Sequence, residues 1–114
     1  MGAINQCGAT NEGVLAQECL VGTEYVVDHV SRGGVHKTAC VWQYEKRIVN
    51  GVSAPIVYFG QVVVDPQSER AKMLVAYMRT VLGAIGLREG PSHGEVMFDE
   101  TTPGAAPCLV EMSK

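Results

Sequence analysis

Charge of one sign is scarce in this chain. Of 114 residues, 9 are Lys or Arg and 12 are Asp or Glu, a formal net charge of −3. The basic residues are scattered, with Lys46-Arg47 the one adjacent pair, so the clustered basic face of a nucleic-acid binder is missing. Long apolar runs are missing too. No segment approaches the ~20 apolar residues that cross a bilayer, and no membrane partner is expected. The first residues, Met1 to Cys7, offer neither the basic nor the apolar region of a signal peptide. Gln6 stands where an N-myristoylation signal needs Ser or Thr. Cysteine pairs are absent: no two of Cys7, Cys19, Cys40 and Cys108 lie within four residues of each other, which excludes the usual zinc knuckle. With no secretory signal, free thiols and a cytoplasmic location are expected. Aromatics make up only 6% of the chain, against 46% hydrophobic and 18% charged residues, the balance of an ordinary globular domain.

A chain of this length forms one domain at most and buries roughly 65% of its unfolded surface, enough for a core. Residues 1–13 hold Gly2, Gly8, Gly13, Asn5 and Asn11 with few large apolar groups, and read as loop or as a segment of something larger. Strand signals begin with the short run Val14-Leu15-Ala16-Gln17. The β-branched run 24–30 and the run 35–44 flank Arg32-Gly33-Gly34, which predicts an antiparallel hairpin. Residues 45–55 look looser, and 56–64 form another strand. Asp65 is the expected helix cap and Pro66 the first helical residue. Leu74, Tyr77, Met78, Val81, Leu82 and Ile85 then recur at helical spacing, predicting an amphipathic helix over about 66–86 that ends at Gly86. Segments 95–98 and 108–112 read as two last strands, joined through 101–107. Strands, one helix, then strands is an α+β order with a mainly antiparallel sheet.

The residues suited to chemistry are acidic. If the last two strands pair, Glu95 and Glu111 face one side together, and two convergent carboxylates suit a hard cation such as Mg²⁺. Sixteen residues separate them, so spacing alone favours the plainer reading, a pair of solvated strand-end residues. His29 and His36 flank the Gly33-Gly34 turn and are expected to be exposed. Trp42 sits mid-strand and is expected in the core.

Three segments change the weight of these readings. Gln17-Glu18-Cys19-Leu20-Val21-Gly22-Thr23-Glu24-Tyr25-Val26-Val27-Asp28 resembles the interlobe hinge of ATP-grasp enzymes. Gly90-Pro91-Ser92-His93-Gly94-Glu95-Val96-Met97 resembles the first metal-binding strand of that family, and Leu109-Val110-Glu111-Met112 the second. The order and spacing of all three fit over about 14–114, and the nearest variety is the carboxylate–amine ligases. The resemblance implies a partial ATP-grasp domain, its C-terminal lobe, with ATP and Mg²⁺ as cofactors. Backbone groups of Glu18 and Leu20 would read adenine, and Glu24 would accept the ribose hydroxyls. Glu95, Glu111 and Ser113 would form the metal set, and His93 would touch phosphate or acyl phosphate. Lys46 and Arg47 would lie in the segment that covers the active site. The family usually has Asn where Ser113 stands, and its phosphate-binding lysines come from a first lobe that nothing before Val14 resembles. The expectation is therefore a fragment inactive by itself, associated with the missing lobe or with a second copy as a homodimer. The alternative is a non-catalytic oligomerising or partner-binding module on the same fold.

Overall fold

Two glycines set the first hairpin. Gly33 and Gly34 both take positive φ, 58° and 82°, the backbone that a two-residue type I′ turn demands and that side chains disfavour. In the computed structural model, which describes residues 3, 4, 7–48 and 56–114, this turn joins β1 (Thr23–Arg32) to β2 (Val35–Ile48). The register runs from Arg32 opposite Val35 to Tyr25 opposite Gln43, with a shift at Asp28/His29. Three more strands follow: β3 (Ile56–Val63), β4 (Gly90–Phe98) and β5 (Cys108–Ser113). All pairings are antiparallel, and the order across the sheet is β3-β2-β1-β4-β5. Among the described residues one helix, α1 (Glu69–Ala84), completes the α+β fold predicted from the sequence.

The core lies between one sheet face and α1. Tyr25, Val27, Val41 and Val96 meet Ala71, Leu74, Met78 and Leu82. Gly94 lies directly under Met78: a Cβ there would collide with the Met78 thioether and the Met112 methyl. The buried helical positions recur at three- and four-residue steps, one stripe of an amphipathic helix. Ile85, expected in that stripe, is 57% exposed, because it is the C-cap where the chain leaves the sheet. The helix ends as Gly86 predicts. Gly86 N–H donates to Gly83 O and Leu87 N–H to Leu82 O, a Schellman closure around a residue with φ 72°.

The structure corrects four local expectations. The helix N-cap is Ser68, whose hydroxyl accepts from Ala71 N at 3.2 Å. Asp65 instead closes the turn before it, its carboxylate accepting from Gln67 N at 2.9 Å, which delays the helix by a turn. Residues 14–17 form no strand: Val14 and Leu15 are exposed and have no ladder to join. Glu45 to Ile48 continue β2 rather than opening a loop; the rest of that loop expectation, 49–55, lies outside the described residues, as do Gly2 and Asn5. His29 is only 1% exposed, because it sits on the central strand on the helix side, with Nε2 3.2 Å from Thr38 Oγ1.

Burial, then the nearby Arg79 charge, lower the His29 pKa. Its depressed value means that the unfolded chain takes up the proton first as pH falls. Stability is therefore expected to decline on acidification below about 6.5, the ordinary imidazole value, down to the folded-state pKa. Melting curves across pH 5–8 should show that slope, and His29→Gln should flatten it; an unchanged slope in the variant would sink the assignment.

Candidate functional site

Side chains alternate across a strand, so the face opposite α1 collects the partners of the core residues. It carries Glu24, Val26 and Asp28 of β1, Trp42 and Tyr44 of β2, and His93 and Glu95 of β4. Trp42 thus lies outside the helix-side core where it was expected, and its indole N–H donates to Asp28 Oδ2 at 2.8 Å. β4 and β5 set Glu95 opposite Glu111 and His93 opposite Ser113. Glu95 and Glu111 therefore share a face and a cavity of about 530 Å³, with Tyr44, Tyr58, Gly60 and Gln61 on its far side. Glu24 lines an adjoining cavity of about 370 Å³ together with Gly22, Lys46 and Arg47. Tyr44 lines both and forms the wall between them.

Three carboxylates close together must compete for neutralisation. Burial first, then the charges of Glu24 and Glu111, push the Glu95 carboxyl above its usual range. Tyr44 Oη donates to Glu95 Oε1 at 3.2 Å, and His93 Nε2 lies 3.7 Å from the same oxygen. Glu24 is buried and forms an ion pair with Lys46, whose ammonium also lies 4.6 Å over the Tyr58 ring. Burial pulls the Lys46 pKa down, but the hydrogen bonds to Glu24 and Tyr58 outweigh it, and the value rises. Lys46 and Arg47 reach the smaller cavity from β2, just past the shift in its pairing with β3 at Glu45/Lys46.

Glu18 and Leu20 lie on the irregular segment that leads into β1, Glu18 exposed and Leu20 half-buried. Gly22 fixes the path of that segment. Its φ is 144°, and a Cβ there would stand 2.5 Å from the Phe98 carbonyl oxygen. Gly22→Ala is expected to cost on the order of 2 kcal/mol, since neither the backbone angle nor the Phe98 contact can give way easily. A denaturant midpoint equal to that of the unsubstituted chain would contradict this.

The donor set fits a hard cation in part. No group of three or more His, Cys, Asp or Glu among the described residues is arranged to enclose a metal. Mg²⁺ does not need such a cage, since it commonly takes one or two carboxylates and fills its shell with phosphate and water. The Glu95–Glu111 pair offers that much, and burial, then the charges of Glu24 and Glu111, raise the Glu95 pKa. Sequence reasoning overlooked Asp28 and Tyr44. Asp28 closes the hinge-like segment, four residues after Glu24 and on the same face, and alternation alone would have grouped the two.

No family model matches the chain. Dapdiamide A synthase of Enterobacter agglomerans is 33% identical over 105 residues, which is 92% of this chain and 23% of that protein. The crystal structure of L-amino acid ligase from Bacillus licheniformis superposes with a TM-score of 0.61 at 17% identity, covering 83% of this chain and 23% of that one. The chain thus spans about a quarter of the length of each. Sequence likeness over nine tenths of the chain and a shared fold together support its reading as a fragment of the ATP-grasp fold.

Proposed function

We propose that this segment holds the adenosine end of ATP and its Mg²⁺ in a ligase that joins a carboxylate to an amine. The observation that carries the reading is the convergence of Glu24, Glu95 and Glu111 on the helix-free face, in two cavities that share a wall. Backbone C=O of Glu18 and N–H of Leu20 would meet the adenine edge. The Glu24 carboxylate, with two acceptor oxygens, would take both ribose hydroxyls. Glu95 and Glu111, with the Ser113 hydroxyl as a weaker third donor, would hold Mg²⁺. That cation would neutralise charge on the β- and γ-phosphates during transfer.

The reaction such a site serves has two steps. A substrate carboxylate oxygen attacks the γ-phosphorus and ADP leaves, giving an acyl phosphate. An amine nitrogen then attacks the acyl carbon, and phosphate departs with the electron pair of the broken C–O bond, leaving an amide. His93, beside Glu95 on the same face, would touch the phosphate. Lys46 is engaged by Glu24, so the triphosphate finds little fixed positive charge here, and the 114 residues alone are expected to bind nucleotide without turnover.

Trp42, the single tryptophan, lies on the same face and reports directly. Titration of Mg·ATP should change its emission saturably, with Glu24→Ala weakening the response about tenfold or more, the value of a lost charged hydrogen-bond pair. A flat titration up to 10 mM would end the nucleotide reading.

A second reading has its own observation. Edge strand β3 is exposed at every residue, including Ile56, Tyr58, Phe59, Val62 and Val63, and an uncharged exposed edge invites pairing with another chain. Covering β3 with the rest of a ligase or with a second copy would serve equally. A clean monomer by light scattering at high micromolar concentration excludes the homodimer.

A further inference from the structure

Asp28 stands at the centre of the helix-free face and touches two ring nitrogens. Its Oδ2 accepts from Trp42 Nε1 at 2.8 Å, and its Oδ1 lies 2.8 Å from His93 Nδ1. The two strands that carry the pair are locked in register, with Asp28 directly opposite His93. His93 points its other nitrogen the opposite way, to 3.7 Å from Glu95 Oε1 at the edge of the acidic cavity. The ring is thus strung between two carboxylates, one at hydrogen-bond distance and one beyond it.

An ionised carboxylate only accepts hydrogen bonds, and an indole N–H only donates. While the His93 ring is neutral, Asp28 has one chemically consistent arrangement with these neighbours: both oxygens accept, and the single ring proton is on Nδ1. A carboxylate behind an imidazole fixes ring orientation and tautomer in the same way at metal and hydrolytic sites. We propose that Asp28 is the positioning residue of this site, holding His93 with its proton on Nδ1 so that Nε2 faces the Glu95 side as a proton acceptor. Trp42 completes the device by occupying the second Asp28 oxygen, which keeps the carboxylate from rotating away.

What Nε2 accepts depends on the function proposed above. An amine attacking an acyl phosphate must shed a proton as its C–N bond forms, and Nε2 is the base beside the carboxylate pair that can receive it. The orientation itself does not depend on that use. The device also explains why the hinge-like segment closes with Asp28: four residues past Glu24, it serves the same face from the far side of Val26.

The test reads the tautomer without nucleotide, so its failure and the failure of the ligase reading are separate results. In ¹⁵N-labelled protein at pH 8.5, where free imidazole is neutral, long-range ¹H–¹⁵N correlations distinguish a protonated ring nitrogen from a bare one. In the unsubstituted chain, Nδ1 of His93 should resonate in the protonated range and Nε2 in the bare range. Asp28→Asn leaves one acceptor oxygen for Trp42 and turns an amide NH₂ towards Nδ1. The two nitrogens should then exchange ranges, with the proton moving to Nε2. Trp42→Phe keeps the Asp28 carboxylate and should keep the proton on Nδ1. A proton on Nε2 in the unsubstituted chain overturns the proposal whether or not Asp28→Asn folds, and so does Asp28→Asn with the assignment unchanged.

Discussion

Leu74→Ala is expected to lower the melting temperature by about 10 °C or more. Leu74 is fully buried between α1 and the sheet, so truncation loses its apolar transfer energy and leaves a cavity that neighbouring strands cannot close. Such substitutions cost about 2–5 kcal/mol. Domains of this size are stable by only about 5–15 kcal/mol, and a single helix covering one sheet face leaves this fold at the low end. Ile85→Ala is the matching control. Ile85 falls on the same sequence pattern yet is 57% exposed, and its loss should change stability by no more than about 0.5 kcal/mol. Circular dichroism melts of the two variants decide it. Equal losses would mean that the helix packs along a different stripe.

Relief of the carboxylate crowding should move stability in the opposite direction, by a smaller amount. Without a cation, Glu95 shares its face with Glu24 and Glu111, and its pKa is raised. A raised carboxyl pKa means that the folded state holds its proton longer than the unfolded one. That contribution to stability is present at low pH and is lost as pH rises through the folded value. At neutral pH the ionised Glu95 therefore weakens the fold, and Glu95→Gln should raise the melting temperature. Mg²⁺ should do the same for the unsubstituted chain. At ten times its dissociation constant a native-state ligand adds about 1.4 kcal/mol, or about 5 °C for a chain of this size. The variant should be more stable without Mg²⁺ and indifferent to it. A variant that melts lower than the parent and still responds to Mg²⁺ would show that the repulsion and the metal site lie elsewhere.

How much of this could be read from residues alone follows from what each element depends on. The hairpin turn at Gly33-Gly34 and the helix end at Gly86 were legible because positive φ leaves glycine as the favoured residue there. The pairing of Glu95 with Glu111 followed once the last two strands were taken as neighbours. Trp42 was misplaced for a reason outside the reach of pattern. A regular hairpin closed on Gly33-Gly34 sets Trp42 opposite Tyr25, on the core side. The register shift at Asp28/His29 moves it by one residue, opposite Val26 and onto the acidic face. A one-residue slip exchanges the faces of a strand, and no residue type announces it. The same geometry hides His29, which turn proximity marks as exposed and the central strand buries. The helix start was missed by a turn because Asp65 and Ser68 are both good caps, and only the closed turn between them selects Ser68. Asp28 could have been grouped with Glu24 by strand alternation, whereas Tyr44 had no signal of its own, since its role exists only across strands.

The shared site of Glu95 and Glu111 is tested most directly by isothermal titration of Mg·ATP into the unsubstituted chain, Glu95→Ala and Glu111→Ala. Expected is weak binding to the unsubstituted chain, about millimolar or −4 kcal/mol, with the Mg²⁺-dependent part lost in both variants while adenosine binding is kept. Equal Mg·ATP binding by all three proteins would contradict it.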